Sequence, residues 1–239
     1  MEYLDMISKL GIGNAHPGGF AATLQQLKQY PLPANANVLE VGCGTGRTSC
    51  YIASQGHSVT GLDIRLDMIA KAKVRAEKEQ ANVEFLQGDA CALPFPADSF
   101  DIVMVESVSI FTDTAKALSE YFRVLRPGGT LYDKEMVSRA PMPPEVHEEI
   151  TRYFQIPQLM DTNDWLTLLN TSAFQHFHID GPHAFPHPFG DQTEFPDLHQ
   201  QMDNGIFLNP AIWETSNKYN SIMEQHGDSI GYITVVGRK

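Results

Sequence analysis

The sequence predicts an α/β fold: a doubly wound, mostly parallel sheet with helices on both faces. Three observations carry this. Strand-length apolar runs alternate with helix-period segments from residue 37 to about 136. A glycine-rich turn, Gly42-Cys43-Gly44-Thr45-Gly46, joins the first run to the first helix after it. Carboxylates close the second and fourth runs at Asp63 and Glu106, and strand ends are where an open parallel sheet places its ligand.

The elements follow in order. Residues 38–42 read as a buried strand ending in glycine, and 48–55 as the next helix. Residues 58–63 form a second strand. The helix over 66–80 carries Leu66, Ile69, Ala70 and residues 72–74 as its apolar side, with Lys71, Lys78 and Glu79 facing water. Residues 83–86 make a third strand. The continuous apolar run at 100–105 suits a strand covered on both faces. A helix over 114–125 stops at Arg126-Pro127-Gly128-Gly129, and a fifth strand occupies 130–136. The last third changes character: a helix over 164–172, an apolar–histidine alternation at 174–179, then residues 182–210 without a clear period. A helix over 211–225 and a strand over 230–236 close the chain. No repeat or long linker divides it, so 1–239 is read as one domain.

Composition narrows the function. Hydrophobic residues at 42% and charged residues at 19% exclude a disordered chain. The net charge of −12 argues against a nucleic-acid partner and an anionic membrane surface. Three cysteines cannot all pair, which suits a reduced compartment, and no leader pattern or membrane-length apolar run is visible. The expectation is a cytoplasmic protein.

The glycine loop points to a cofactor. A strand-to-helix turn of this kind needs positive φ and room for a ligand against the backbone, and the amides opening the helix favour a negative group. The dinucleotide pattern G-x-G-x-x-G/A, started at Gly42, puts Arg47 where the third glycine belongs. The pattern is instead Glu-x-Gly-x-Gly-x-Gly from Glu40 to Gly46, with Asp63 placed 23 residues after Glu40. A nucleoside without a diphosphate fits better.

With these residues the chain resembles the class I S-adenosylmethionine-dependent methyltransferases, in the small-molecule branch similar to the ubiquinone and menaquinone biosynthesis enzymes. The resemblance runs through VLEVGCGTG at 38–46, VTGLDIRLDMI at 59–69, FLQGDACALPFPADSFDIVMVES at 85–107 and LRPGGTLYDKE at 125–135. It implies a Rossmann-like seven-stranded sheet whose last strand is antiparallel and inserted between strands 5 and 6. It implies S-adenosylmethionine as cofactor and S-adenosylhomocysteine as product. Gly42, Cys43, Gly44, Thr45 and Gly46 would hold the methionine end, with Glu40 reaching the ammonium. Asp63 would bind the ribose hydroxyls, Ile64 would lie against the adenine, Asp89 would accept from its amino group and the Ala90 amide would meet the ring. Glu106 and Ser107 would sit under the sulfonium and the acceptor.

Transfer from a sulfonium needs alignment more than a catalytic constellation. A base is needed only where the acceptor must lose a proton. The candidate catalytic residues are Glu106, as base or merely as a cofactor-shell carboxylate, and His16. His16 stands in the His16-Pro17-Gly18-Gly19 stretch, one turn before Thr23. The alternative reading there is an ordinary helix start. Residues 1–30 are expected as a helical lid. Two inserts, 137–160 and 182–213, are expected to wall the acceptor pocket with Val146, Ile150, Tyr153, Phe154, Phe185, Phe189, Phe195, Phe207 and Trp213. His176, His178, His183 and His187 are dense but lack further ligands, so no metal is expected. The reading is methyl transfer to O, N or C of a small molecule. The alternatives are a protein or peptide methyltransferase and an inactive cofactor-binding module.

Overall fold

The computed structural model describes residues 1–185 and 194–239. The N-terminal part holds α1 (Tyr3–Leu10) and α2 (Gly19–Gln29). The alternating part follows as β1 (Asn37–Val41), α3 (Arg47–Ser54), β2 (Ser58–Asp63), α4 (Leu66–Glu79), β3 (Val83–Gln87), β4 (Phe100–Glu106), α5 (Thr114–Val124) and β5 (Leu125–Ser138). The last part holds α6 (Pro144–Phe154), α7 (Thr162–Thr171), β6 (His176–Ala184), α8 (Pro210–His226) and β7 (Ile230–Arg238). The sheet has seven strands in the order β3-β2-β1-β4-β5-β7-β6. β7 runs antiparallel to both β5 and β6, and the pairs among the first five strands are parallel. The expected insertion of the last strand between the fifth and sixth is the arrangement found.

β4 lies at the centre because it is apolar on both faces: Ile102, Val103, Met104 and Val105 are all buried. Its end, Glu106, therefore opens in the middle of the carboxyl edge beside the end of β1. α1 is tied to the body through Tyr3, Met6 and Ile7, which share one helical face and enter the main core. α7 starts on a reciprocal cap in which Asp161 accepts amides of its first turn and Asp164 accepts the Asp161 amide.

Three expectations change. The fifth strand starts at Leu125, not 130, because α5 ends at Val124 and Leu125 pairs at once with Phe100. Arg126-Pro127-Gly128-Gly129 forms a bulge in that strand, with Gly128 at φ +82 and the Gly128 amide donating to the Lys239 carbonyl. In α4 the buried stripe is Met68, Ile69, Ala72, Arg75 and Ala76, while Leu66, Ala70 and Val74 face outward. A buried arginine shifts the stripe because its guanidinium is fully engaged, as described below. Among the aromatic residues expected in the pocket, Phe207 and Trp213 lie on the surface against each other, with ring centres 5.6 Å apart.

Candidate functional site

The carboxyl edge of β1, β2 and β4 gathers three acidic side chains, Glu40, Asp63 and Glu106, around the glycine loop. Gly42, Gly44 and Gly46 all take positive φ, so the loop needs glycine at each. They differ in what surrounds them. A Cβ at Gly42 would strike Val108, and one at Gly46 would strike Phe85 and Ala72, whereas one at Gly44 would meet nothing within 4 Å. Gly44 thus presents bare backbone to open space, the condition for close approach by a ligand. Asp63 steadies this loop: its Oδ2 accepts the Gly44 amide at 2.9 Å and its Oδ1 accepts the Arg65 amide at 2.8 Å. Burial pushes the Asp63 carboxyl up, and those two amides oppose the shift.

Glu40 lies deeper. Burial pushes its carboxyl up to about 8, against the opposing hydrogen bond from the Ser49 hydroxyl. A carboxyl so placed is poised to ionise when a cation arrives. Beside the loop, Ile64 and Leu66 are each 63% exposed, an apolar shelf at the end of β2. Across from it Asp89 accepts the Cys91 amide at 2.8 Å and Ala90 is buried. Together they set a bare-backbone cradle, buried carboxylates and an apolar shelf along one edge. Two predicted residues point elsewhere. Thr45 is fully buried, its hydroxyl and carbonyl turned to Arg75, and the Cys43 thiol is buried beneath the loop.

Glu106 is the hub of a second group. Its Oε1 accepts from the Thr23 hydroxyl at 2.7 Å and from Lys134 Nζ at 2.9 Å, and its Oε2 accepts from the Thr48 hydroxyl at 3.2 Å. His16 Nε2 stands 3.5 Å from Oε2 and 3.3 Å from the Thr23 hydroxyl. Burial alone would raise the Glu106 carboxyl, but His16 and Lys134 outweigh it and hold it down to about 2. Glu106 is thereby favoured in its ionised form. The next residue, Ser107, takes φ +58 and donates its amide to the Lys134 carbonyl at 2.7 Å, turning the chain sharply at the strand end.

Past Ser107 opens a cavity of about 530 Å³. Its walls come from α1, the 12–22 segment, the 107–111 turn, Met136, Phe154, Phe185 and α8, and both His16 and Ser107 line it. Of the aromatic residues expected there, Phe154 and Phe185 take part. Ile150 is core, Val146 and Tyr153 pack against the core, and Phe195 faces Phe20 instead. Tyr3, Tyr219 and Tyr232 line the cavity without having been singled out. Phe189 and His187 lie outside the described residues. His183 pairs with Asp180 at 3.0 Å and His178 meets the Tyr30 hydroxyl at 3.2 Å, and His176 is exposed.

Several supporting residues escaped the sequence reading. Lys134 is a buried cation in the middle of β5. Its neighbours Asp133 and Glu135 are buried on the opposite face, where Glu135 accepts the Val108 and Ser109 amides at 2.8 Å each. Burial, together with the adjacent Asp133, pushes the Glu135 carboxyl well upward, and burial raises Asp133 as well. Arg75 donates to the Thr45 carbonyl at 2.9 Å and to Asp197 at 2.6 Å, and so clamps the glycine loop to the 194–203 segment. A charged triplet inside an otherwise apolar strand was the signal available for Lys134.

A family model described as a methyltransferase domain matches residues 38–129. An uncharacterized methyltransferase, YodH of Bacillus subtilis, is 30% identical over 238 residues, covering all of this chain and 99% of that one. This chain belongs to the S-adenosylmethionine-dependent methyltransferases. An arsenite methyltransferase of Halobacterium salinarum is 33% identical over 216 residues, with 86% of this methyltransferase and 50% of that protein covered. Among solved structures, Haemonchus contortus phosphoethanolamine N-methyltransferase 2 in complex with S-adenosyl-L-methionine aligns with a TM-score of 0.75 at 22% identity. The match covers 99% of this methyltransferase and 57% of that chain. The [4+2]-cyclase SpnF aligns with a TM-score of 0.73 at 19% identity, covering 99% and 92%. These two similarities show the shared fold. No helix among the described residues is long and apolar enough to cross a membrane.

Proposed function

We propose that this methyltransferase acts on a small-molecule acceptor held in the cavity beyond Ser107. The observation that carries this is a junction: the cavity and the carboxylate-lined edge meet at Glu106, Ser107 and His16. A cavity of this size encloses a small molecule and not a folded partner.

When bound, S-adenosylmethionine supplies a methyl carbon activated by its sulfonium and a neutral thioether as leaving group. The chain's own residues do the rest. The Gly42–Gly46 backbone holds the methionine end, and Glu40 meets the ammonium as an ionised carboxylate. Asp63 keeps one lone pair per oxygen for the ribose hydroxyls after accepting two amides. Ile64, joined by Leu66, supports the adenine from one side, with Asp89 and Ala90 at its edge. Residues 12–19 cover the junction, since Gly13 sits against Thr45 and Arg47 so closely that a Cβ there would lie 2.4 Å from the Thr45 hydroxyl. Alignment in a site closed to water supplies most of the rate.

For a hydroxyl acceptor, His16 takes the proton as the oxygen–carbon bond forms. Glu106 sets the ring's orientation and stabilises the imidazolium, which is the task its ionised form suits. His16→Gln should lower kcat by about 100-fold while leaving the dissociation constant of S-adenosylmethionine unchanged. An unaltered kcat would reduce His16 to a covering residue. We place the protein in the cytoplasm because its three free thiols suit a reducing compartment.

The test is incubation with methyl-labelled S-adenosylmethionine and the separated small-molecule and protein fractions of a cell extract, with Asp63→Ala as control. Label in an organic-extractable compound supports the reading. Label in protein would make the cavity a peptide groove and overturn it.

A further inference from the structure

The acceptor cavity carries information in what its walls lack. Two segments supply most of the lining, and the sequence makes both of them free of fixed positive charge. Between Lys9 and Lys28, and again between Arg152 and Lys218, there is no lysine or arginine. The second stretch includes the residues outside the described ones, and their sequence too has no lysine or arginine. Among the described residues the lining contains no Lys or Arg. Cations close to it in sequence or space are committed elsewhere. Lys134 pairs with Glu106 at 2.9 Å, and Arg47 stacks on Phe20 and donates to the Phe195 carbonyl at 2.6 Å. Arg152 pairs with Glu148, and Lys218 with Glu149.

The walls themselves are apolar and aromatic, with Tyr3, Met6, Ile110, Phe154, Met223 and Tyr232 among them, and the acidic residue Glu194 stands at the lining. An anion buried here would lose its hydration and find no charged partner, and a carboxylate at the wall would repel it. A phosphate or carboxylate group recognised in a buried site is held best by cationic side chains. Among the described residues the lining offers it only polar side chains and the backbone at the start of α2. At the junction stands a buried anion, Glu106, already paired with Lys134 at 2.9 Å.

We propose that the cavity selects an uncharged acceptor with an apolar or aromatic body and a single polar group directed at His16 and Ser107, and that it excludes phosphorylated and carboxylated acceptors. This rests on the methyltransferase reading only in assigning the cavity to the acceptor.

The experiment is calorimetric titration of three probes that share a six-carbon chain into the full-length protein saturated with S-adenosylhomocysteine: 4-hexylphenol, hexyl phosphate and hexylammonium. Saturation by S-adenosylhomocysteine is measured first. Its failure would strike at the cofactor reading and leave the cavity to be judged by the same probes on the unliganded protein. The expected result is saturable binding of 4-hexylphenol, with hexyl phosphate about 100-fold weaker for want of a counter-charge and hexylammonium weaker than the phenol. Ala22→Phe, which fills the cavity from α2, should abolish phenol binding and leave S-adenosylhomocysteine affinity intact. Asn220→Arg, at an exposed position of α8 on the lining, should raise hexyl phosphate affinity. Equal or tighter binding of either charged probe by the wild type would overturn the proposal, as would no binding of the phenol or phenol binding indifferent to Ala22→Phe.

Discussion

The two halves of the site are built on opposite principles. At the cofactor end, Glu40, Asp63 and Glu106 bring carboxylates into a buried edge, and each is answered by amides, hydroxyls or cations at hydrogen-bond distance. In the proposed acceptor cavity most of the wall is apolar or aromatic side chain, and among the described residues the lining has no lysine or arginine. The first half can hold a polar, charged cofactor in a defined pose through directional contacts. The second works mainly by excluding water and fitting a shape, with directional contacts left to His16 and Ser107. On the proposed reading the difference is a division of labour: the cofactor is held by electrostatic contacts, and the acceptor is selected by size and by the absence of charge. Lys134 is the residue at which the two meet, because it neutralises the carboxylate that faces both.

Breaking that meeting point should give the largest effect. Lys134→Met leaves Glu106 buried with its strongest partner gone, and should cost about 3–5 kcal/mol of stability in urea unfolding. Adding Glu106→Gln to Lys134→Met should recover much of that loss, because a neutral amide no longer needs the cation. No recovery would mean that the lysine stem, and not its charge, supports the sheet.

A smaller effect sharpens the cofactor half alone. Asp63→Ala should weaken S-adenosylmethionine binding by about 1–3 kcal/mol, while 4-hexylphenol binding to the cavity stays within error. Loss of both together would show that the two halves are one cooperative unit. The residues of this half were legible in the sequence because they are local. Gly42, Gly44 and Gly46 are dictated by a turn, and Asp63 and Glu106 by the ends of strands whose apolar runs are easy to bound. Lys134 was not legible, since a strand with alternating charges reads as half exposed. Only the folded structure shows that both faces are covered, since Asp133, Lys134 and Glu135 are all buried. The cavity was legible only in part. Tyr3 and Tyr219 stand 6.1 Å apart across its wall but 216 positions apart in the chain, and no local pattern links them. Phe207 and Trp213, equally aromatic, ended on the surface.

The pH dependence offers a finer test of the electrostatic half. Glu40 has its carboxyl raised to about 8, so the protonated form stabilises the fold below the ordinary glutamate range, and that contribution is lost as pH rises through about 8. Relative to Glu40→Gln, the wild type should lose stability from about pH 5 to pH 8. An ammonium placed against Glu40 favours its ionised form, so S-adenosylmethionine binding at neutral pH should release a proton. Calorimetry in two buffers of different ionisation enthalpy measures this, and Glu40→Gln should abolish the difference. Equal proton release by the variant would remove Glu40 from the ammonium.

The smallest expected effect is a null that guards the cavity assignment. Trp213→Ala, on the exposed aromatic pair with Phe207, should change acceptor-probe affinity and stability by less than about 0.5 kcal/mol. A tenfold loss of 4-hexylphenol affinity would extend the cavity to that surface.

The most direct measurement is a crystal structure of the complex with S-adenosylhomocysteine. The account predicts the amino-acid end on the Gly42–Gly46 backbone, the ribose hydroxyls on Asp63, and the sulfur facing the cavity between Ser107 and His16. An ordered ligand whose ribose lies away from Asp63, or whose sulfur is walled off from the cavity, would contradict it.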